Sequence, residues 1–190
     1  MTAPDFSLIG KVAQKLTQAP AYAAAEGARG SLLSVAAASY GFKSENEDHT
    51  QPTGFDPEAA RLFEAVVEGA FLVANADGEF DETEQAAFQH VVVAACSGVV
   101  AERQVSALLA DLHDQLVEDG MGKRIEMVAR TITREDHARE VLRVSSLLAY
   151  VSGGVSPVER EILDKLASEF KLTGPAVEQA IQEAAHALAE

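Results

Sequence analysis

Residues 57–74 place Leu62, Phe63, Val66, Val67, Ala70, Phe71 and Val73 around most of a helix circumference. A helix that is apolar nearly all round is tolerated only when other elements cover it on every side. The segment therefore predicts a central, buried helix and a fold organised about it. Asp56-Pro57-Glu58 marks its start. Asp is a good N-cap, Pro suits the first helical position, and Glu complements the helix dipole. Hydrophobic residues make up 47% of the 190, but aromatics only 6%, with no tryptophan. Ala, Val and Leu must then supply the packing, which favours close-packed helices over sheets.

The rest of the chain extends the same reading. Asp81-Glu82-Thr83-Glu84 has capping-box spacing and opens a helix to about Cys96. Ser97-Gly98 ends it. From Ala101, Val105, Leu108, Leu109, Leu112 and Leu116 recur at helical spacing as far as Asp119-Gly120. A short helix is expected over 121–132. Thr133-Arg-Glu-Asp136 reads as another capping box, opening a helix to about Val151. Ser156-Pro157-Val158-Glu159 opens the next, and Gly174-Pro175 the last, which ends near Leu188. The fold class is all-α, a bundle of about seven core helices with no strand, over residues 56–190. Residues 1–55 read as an N-terminal extension that packs less tightly. It holds a weak amphipathic helix over 5–18 with Phe6, Ile9, Val12, Ala13 and Leu16 on one side, and a second, Ala-rich one over 21–40. A polar linker over 41–55 follows, with Glu45, Glu47 and Asp48.

Charge narrows the partners. A net charge of −15 repels phosphate backbones, so no nucleic acid is expected. It disfavours anionic lipid and favours cations or a basic patch on a partner protein. Cys96 is the single cysteine and lies in the apolar run Val91–Cys96, so it is read as a buried structural thiol. No signal-peptide pattern opens the chain, and no apolar run reaches membrane-spanning length, so direct membrane insertion is not expected and a cytoplasmic location is. Gly-x-Ser-x-Gly, a P-loop and His-x-x-x-His are all absent, and the chain is read as a non-enzyme. Asp111, Asp114 and Glu118, beside His113, share one helical face and are read as solvated.

The acidic turn after the central helix carries the chemistry. On a twelve-residue EF-hand loop, Asn75 falls at the third position, Asp77 at the fifth, Gly78 at the sixth, Asp81 at the ninth and Glu84 at the twelfth. Phe80 takes the apolar eighth position, while Val73 leaves the first without an acid. Asp77, Asp81, Glu84, Asn75 and Glu79 are the candidate ligands for a hard divalent cation, with calcium the first choice. The missing acid predicts weak binding, on the order of 10⁻⁴ to 10⁻³ M. Glu64 or Glu68, on the preceding helix, is the nearest acid that improves it. Each ligand also has a structural reading. Asp81 and Glu84 form a cap, Asp77 makes an Asp-Gly turn, Asn75 caps the preceding helix, and Glu79 is solvated.

A repeat sets these acids apart. Glu84 and Glu159 lie 75 residues apart, and at that offset Gly78 meets Gly153, Phe80 meets Val155 and Asp81 meets Ser156. The chain thus reads as two helix-turn-helix repeats. The second copy keeps the glycine, the apolar plug and the capping glutamate, but Asn75, Asp77 and Glu79 become Tyr150, Ser152 and Gly154. The pattern Ala76-Asp77-Gly78-Glu79-Phe80 with Glu84, echoed by Ser152-Gly153-Gly154-Val155 with Glu159, resembles the tellurite-resistance TerB family and its TerB-like relatives over about residues 56–190. That resemblance implies an all-helical domain with two repeats facing one another and a divalent-metal site built from acidic residues. It also implies a role in stress response near the inner membrane, with a membrane protein of a tellurite-resistance system as partner. Two functions are expected to compete: a non-catalytic, metal-responsive binding module, and a metal-free helical scaffold for another protein.

Overall fold

The computed structural model describes residues 6–25, 27–42, 55–78 and 80–189. Ten α-helices follow in order: α1 Phe6–Thr17, α2 Ala21–Ala25, α3 Leu32–Tyr40, α4 Pro57–Ala74, α5 Glu82–Ala95, α6 Glu102–Asp119, α7 Met121–Thr131, α8 Glu135–Ala149, α9 Pro157–Glu169 and α10 Ala176–Ala189. A 3₁₀ turn, Tyr150–Ser152, extends α8. No strand occurs among the described residues. The all-α expectation and the seven helices α4–α10 both hold.

α4 lies at the centre, as its composition requires. Asp56 Oδ1 accepts the Glu58 N–H at 2.9 Å, and Pro57 fills the first helical position. Every residue from Ala65 to Val73 is buried. α4 packs on α3, α7, α8 and α9. Its crossing with α8 is close enough that a Cβ on Gly69 would sit 2.6 Å from Val141 Cγ1. Each large apolar side chain sealed here contributes about 1.5–3 kcal/mol relative to exposure.

Two expectations are corrected. Residues 133–136 form no capping box. α8 is preceded by Arg134, which makes no side-chain cap. Asp136, in the first turn of α8, is instead held by Arg134 Nη2 at 2.6 Å. Nor do the described residues of the N-terminal extension pack less tightly. Leu16 and Leu33 are 0% and 1% exposed, and the Tyr40 ring stacks on Phe63 at 4.6 Å between centroids. Three long-range bonds tie this segment to α8. The Leu32 N–H donates to Glu140 Oε1 at 2.6 Å, Arg143 Nη2 to the Lys15 carbonyl at 2.9 Å, and the Tyr22 hydroxyl to the Asp136 carbonyl at 3.2 Å. α1 and α3 therefore share one core with α4–α10. Their small apolar side chains looked weak in sequence because alanine buries little area, yet it allows close approach. The linker acids Glu45, Glu47 and Asp48 lie outside the described residues.

Candidate functional site

The turn between α4 and α5 is shorter than the EF-hand frame assumes. α4 continues through Ala74 and α5 begins at Glu82. Val73, at the frame's first position, is 1% exposed and belongs to the core. Asn75 is the C-cap of α4, and its Nδ2 donates to the Phe71 carbonyl at 2.8 Å. Gly78 has φ +79°, a backbone state that admits the sharp turn at no steric cost. Phe80 then folds back and meets Phe71 and Phe88 edge-on, each at 5.8 Å between centroids. This aromatic plug fixes the turn on the core and leaves Asp77 exposed. Glu79 lies outside the described residues.

Asp81 and Glu84 form a complete capping box. Asp81 Oδ1 accepts the Thr83 and Glu84 N–H groups, both at 2.8 Å, and Glu84 Oε2 accepts the Asp81 N–H at 3.2 Å. The second turn is built alike. Gly153 has φ +119°, the Ser156 N–H donates to Glu159 Oε2 at 2.7 Å, and Ser156 Oγ accepts the Glu159 N–H at 3.3 Å. Glu159 is the more deeply buried of the two glutamates.

Both turns line one half-open cleft of about 610 Å³. Asp77, Asp81 and Glu84 stand on one side and Glu159 on the other. The floor is apolar, with Ala70 and Val73 from α4, Phe88 from α5 and Leu148 from α8. α1 adds Leu8 and Ile9, which the sequence reading had not placed at any site. Among the described residues no Lys, Arg or His lines the cleft.

The fit of a metal ion follows from this donor set. Among the described residues no three His, Cys, Asp or Glu side chains are grouped closely enough to hold one. A closed, high-affinity site does not fit. A weakly held hard cation fits better, with one or two carboxylates as ligands and water filling the remaining positions.

The reserve ligand Glu68 is committed elsewhere. Its Oε1 takes Arg124 Nε at 2.7 Å and Nη2 at 2.6 Å, and Arg124 Nη1 reaches Asp119 Oδ2 at 3.1 Å. Burial pushes the Glu68 carboxyl up, against the pull of Arg124. Neither Glu68 nor Glu64 lines the cleft. Burial also pushes the Cys96 thiol up to about 12, which leaves it unionised near neutral pH and inert as a nucleophile. On α8, Glu140 and Arg143 are buried at helical spacing in an apolar helix, and that pattern was visible in the sequence. Desolvation drives the Glu140 carboxyl up to about 7, while the Leu32 N–H and Arg143 oppose it.

A family model described as tellurite resistance protein TerB matches residues 63–182. The match runs from α4 into α10 and leaves out α1–α3. No curated protein and no solved structure matches the chain. No helix among the described residues is long and apolar enough to cross a membrane.

Proposed function

The chain belongs to the tellurite resistance protein TerB family, and from that premise we propose that it is a non-catalytic, metal-responsive binding module. A hard divalent cation, calcium first, binds weakly at the acidic turn, with Asp77 as its principal ligand. Asp81 and Glu84 contribute the carboxylate oxygens that their cap does not use. Glu79 and the Asn75 carbonyl oxygen complete the candidate set. Neutralising this charge alters the cleft surface that a protein partner reads. The proposal includes the duplication of α4–turn–α5 as α8–turn–α9, with metal chemistry in the first copy alone. It also places the module in the cytoplasm, at the inner membrane through a membrane protein of a tellurite-resistance system.

One observation carries this reading. Asp77 lines the cleft and is the cap residue of neither α4 nor α5, whereas Ser152 stands at the matching place in the second turn. Calorimetric titration with Ca²⁺, Mg²⁺, Mn²⁺ and Zn²⁺ tests it. Heat saturating near millimolar Ca²⁺ or Mg²⁺ supports it, and no heat with any of the four removes the cation. The capping boxes favour a second reading, a metal-free scaffold, because they give Asp81, Glu84 and Glu159 a full structural reason to be present.

A further inference from the structure

We propose that the cleft between the two turns receives a lysine side chain carried on an apolar helical segment of a protein partner. The inference rests on the reading that the domain engages a partner, and its ammonium would compete with the cation for the same carboxylate oxygens. Volume is the first argument. About 610 Å³ lies within the range of sites that enclose organic groups and far exceeds what one ion fills. Charge is the second. Among the described residues, Asp77, Asp81, Glu84 and Glu159 are the charged side chains that line the cleft, and all four are acidic. These acids come from both turns and do not gather into a three-ligand cluster. That dispersal suits a flexible ammonium, whose three N–H donors reach separate acceptors.

The caps leave acceptors for it. They use Asp81 Oδ1, Glu84 Oε2 and Glu159 Oε2, so the other oxygen of each carboxylate stays outside the capping bonds. The apolar floor is the third argument. A lysine stem lies well on apolar surface while its head reaches the acidic rim, and leucine-like neighbours on the partner helix meet Leu8 and Phe88. α1, which lies outside the family match, forms part of this wall, so the recognition surface extends beyond the family domain.

The test uses the full chain and two short blocked peptides of alanine and leucine, one with a central lysine and its twin with glutamine. Amide-resolved NMR titrations read the contact. The lysine peptide is expected to shift amides in 76–88 and 148–156 and to bind roughly tenfold or more tightly than its twin. Asp77→Asn should weaken that preference. Ala87→Met, which fills the cleft from α5, should abolish binding of both peptides with melting unchanged. Equal binding of the twins overturns the lysine claim in favour of a purely apolar helix. Absence of peptide binding overturns it too, as does self-association through these same amides, which makes a second copy the occupant. A parallel Ca²⁺ titration separates the two proposals. Lysine-dependent binding without Ca²⁺ heat supports this one and removes the cation. Ca²⁺ heat that is lost in Asp77→Asn, without lysine dependence, leaves the cation and overturns this one.

Discussion

α4–turn–α5 and α8–turn–α9 do the same mechanical work with different side chains. Each turn has a glycine with positive φ, each next helix starts at a reciprocal capping box, and both face one cleft. Their chemistry diverges around those parts. The first turn presents Asp77 and a capping Asp81, and the second presents Ser152 and a capping Ser156. The capping parts explain how the chain turns. The central helices differ as well. The buried acid on α4, Glu68, is matched by Arg124, whereas Glu140 on α8 accepts a backbone N–H from the N-terminal segment.

The largest effect expected from this comparison lies away from the turns. Glu68→Ala removes one partner of the Glu68–Arg124 pair, whose side chains are about nine-tenths buried, leaves Arg124 with Asp119 alone, and should cost about 3 kcal/mol in denaturant unfolding. Its Ca²⁺ heat should be unchanged. A lost heat with intact folding would move Glu68 from the scaffold to the site.

The second half should show the stronger pH dependence. The Glu140 carboxyl stands at about 7 when folded against 4.5 in its ordinary state. A raised carboxyl binds its proton more tightly in the folded chain, so its contribution is full below pH 4.5 and is lost as pH rises through 7. The change is on the order of 3 kcal/mol, read as the difference between wild type and Glu140→Gln across that window. Identical pH profiles would deny that the N-terminal segment is held through this acid.

Cap removal should be smaller and unequal. Glu159→Ala should cost about 1–2 kcal/mol, and Glu84→Ala about 0.5–1, because the Glu159 bond is shorter and more buried. Only the Glu84 variant should also weaken the cation. Equal losses in melting would mean that the two boxes are interchangeable.

Much of this was legible before any coordinates. Helix α4 was fixed by its cap, its proline and its apolar girdle, all local signals. The Phe80 plug and both Glu caps were local too. The N-terminal segment was misjudged because its partners are distant. Nothing near Leu32 announces Glu140, and nothing near Lys15 announces Arg143. The gap in the EF-hand frame at Val73 was legible as well, because the apolar helix already read as running to Ala74, and Val73 is buried in it. That both turns line one cleft was implied in sequence only by the family resemblance, and the packing of α4 on α8 is what brings them together.

The smallest structural effect is expected where the functional one is greatest. Asp77 is exposed and is the cap residue of neither α4 nor α5, so Asp77→Asn should change stability by less than about 0.5 kcal/mol. Calorimetry of wild type and Asp77→Asn with Ca²⁺ in matched buffer therefore tests the central claim most directly. A saturating heat in the wild type, absent from an equally stable variant, is the predicted result. Equal heats in both proteins, or none in the wild type at millimolar Ca²⁺, would contradict it and leave the first turn with the same purely mechanical role as the second.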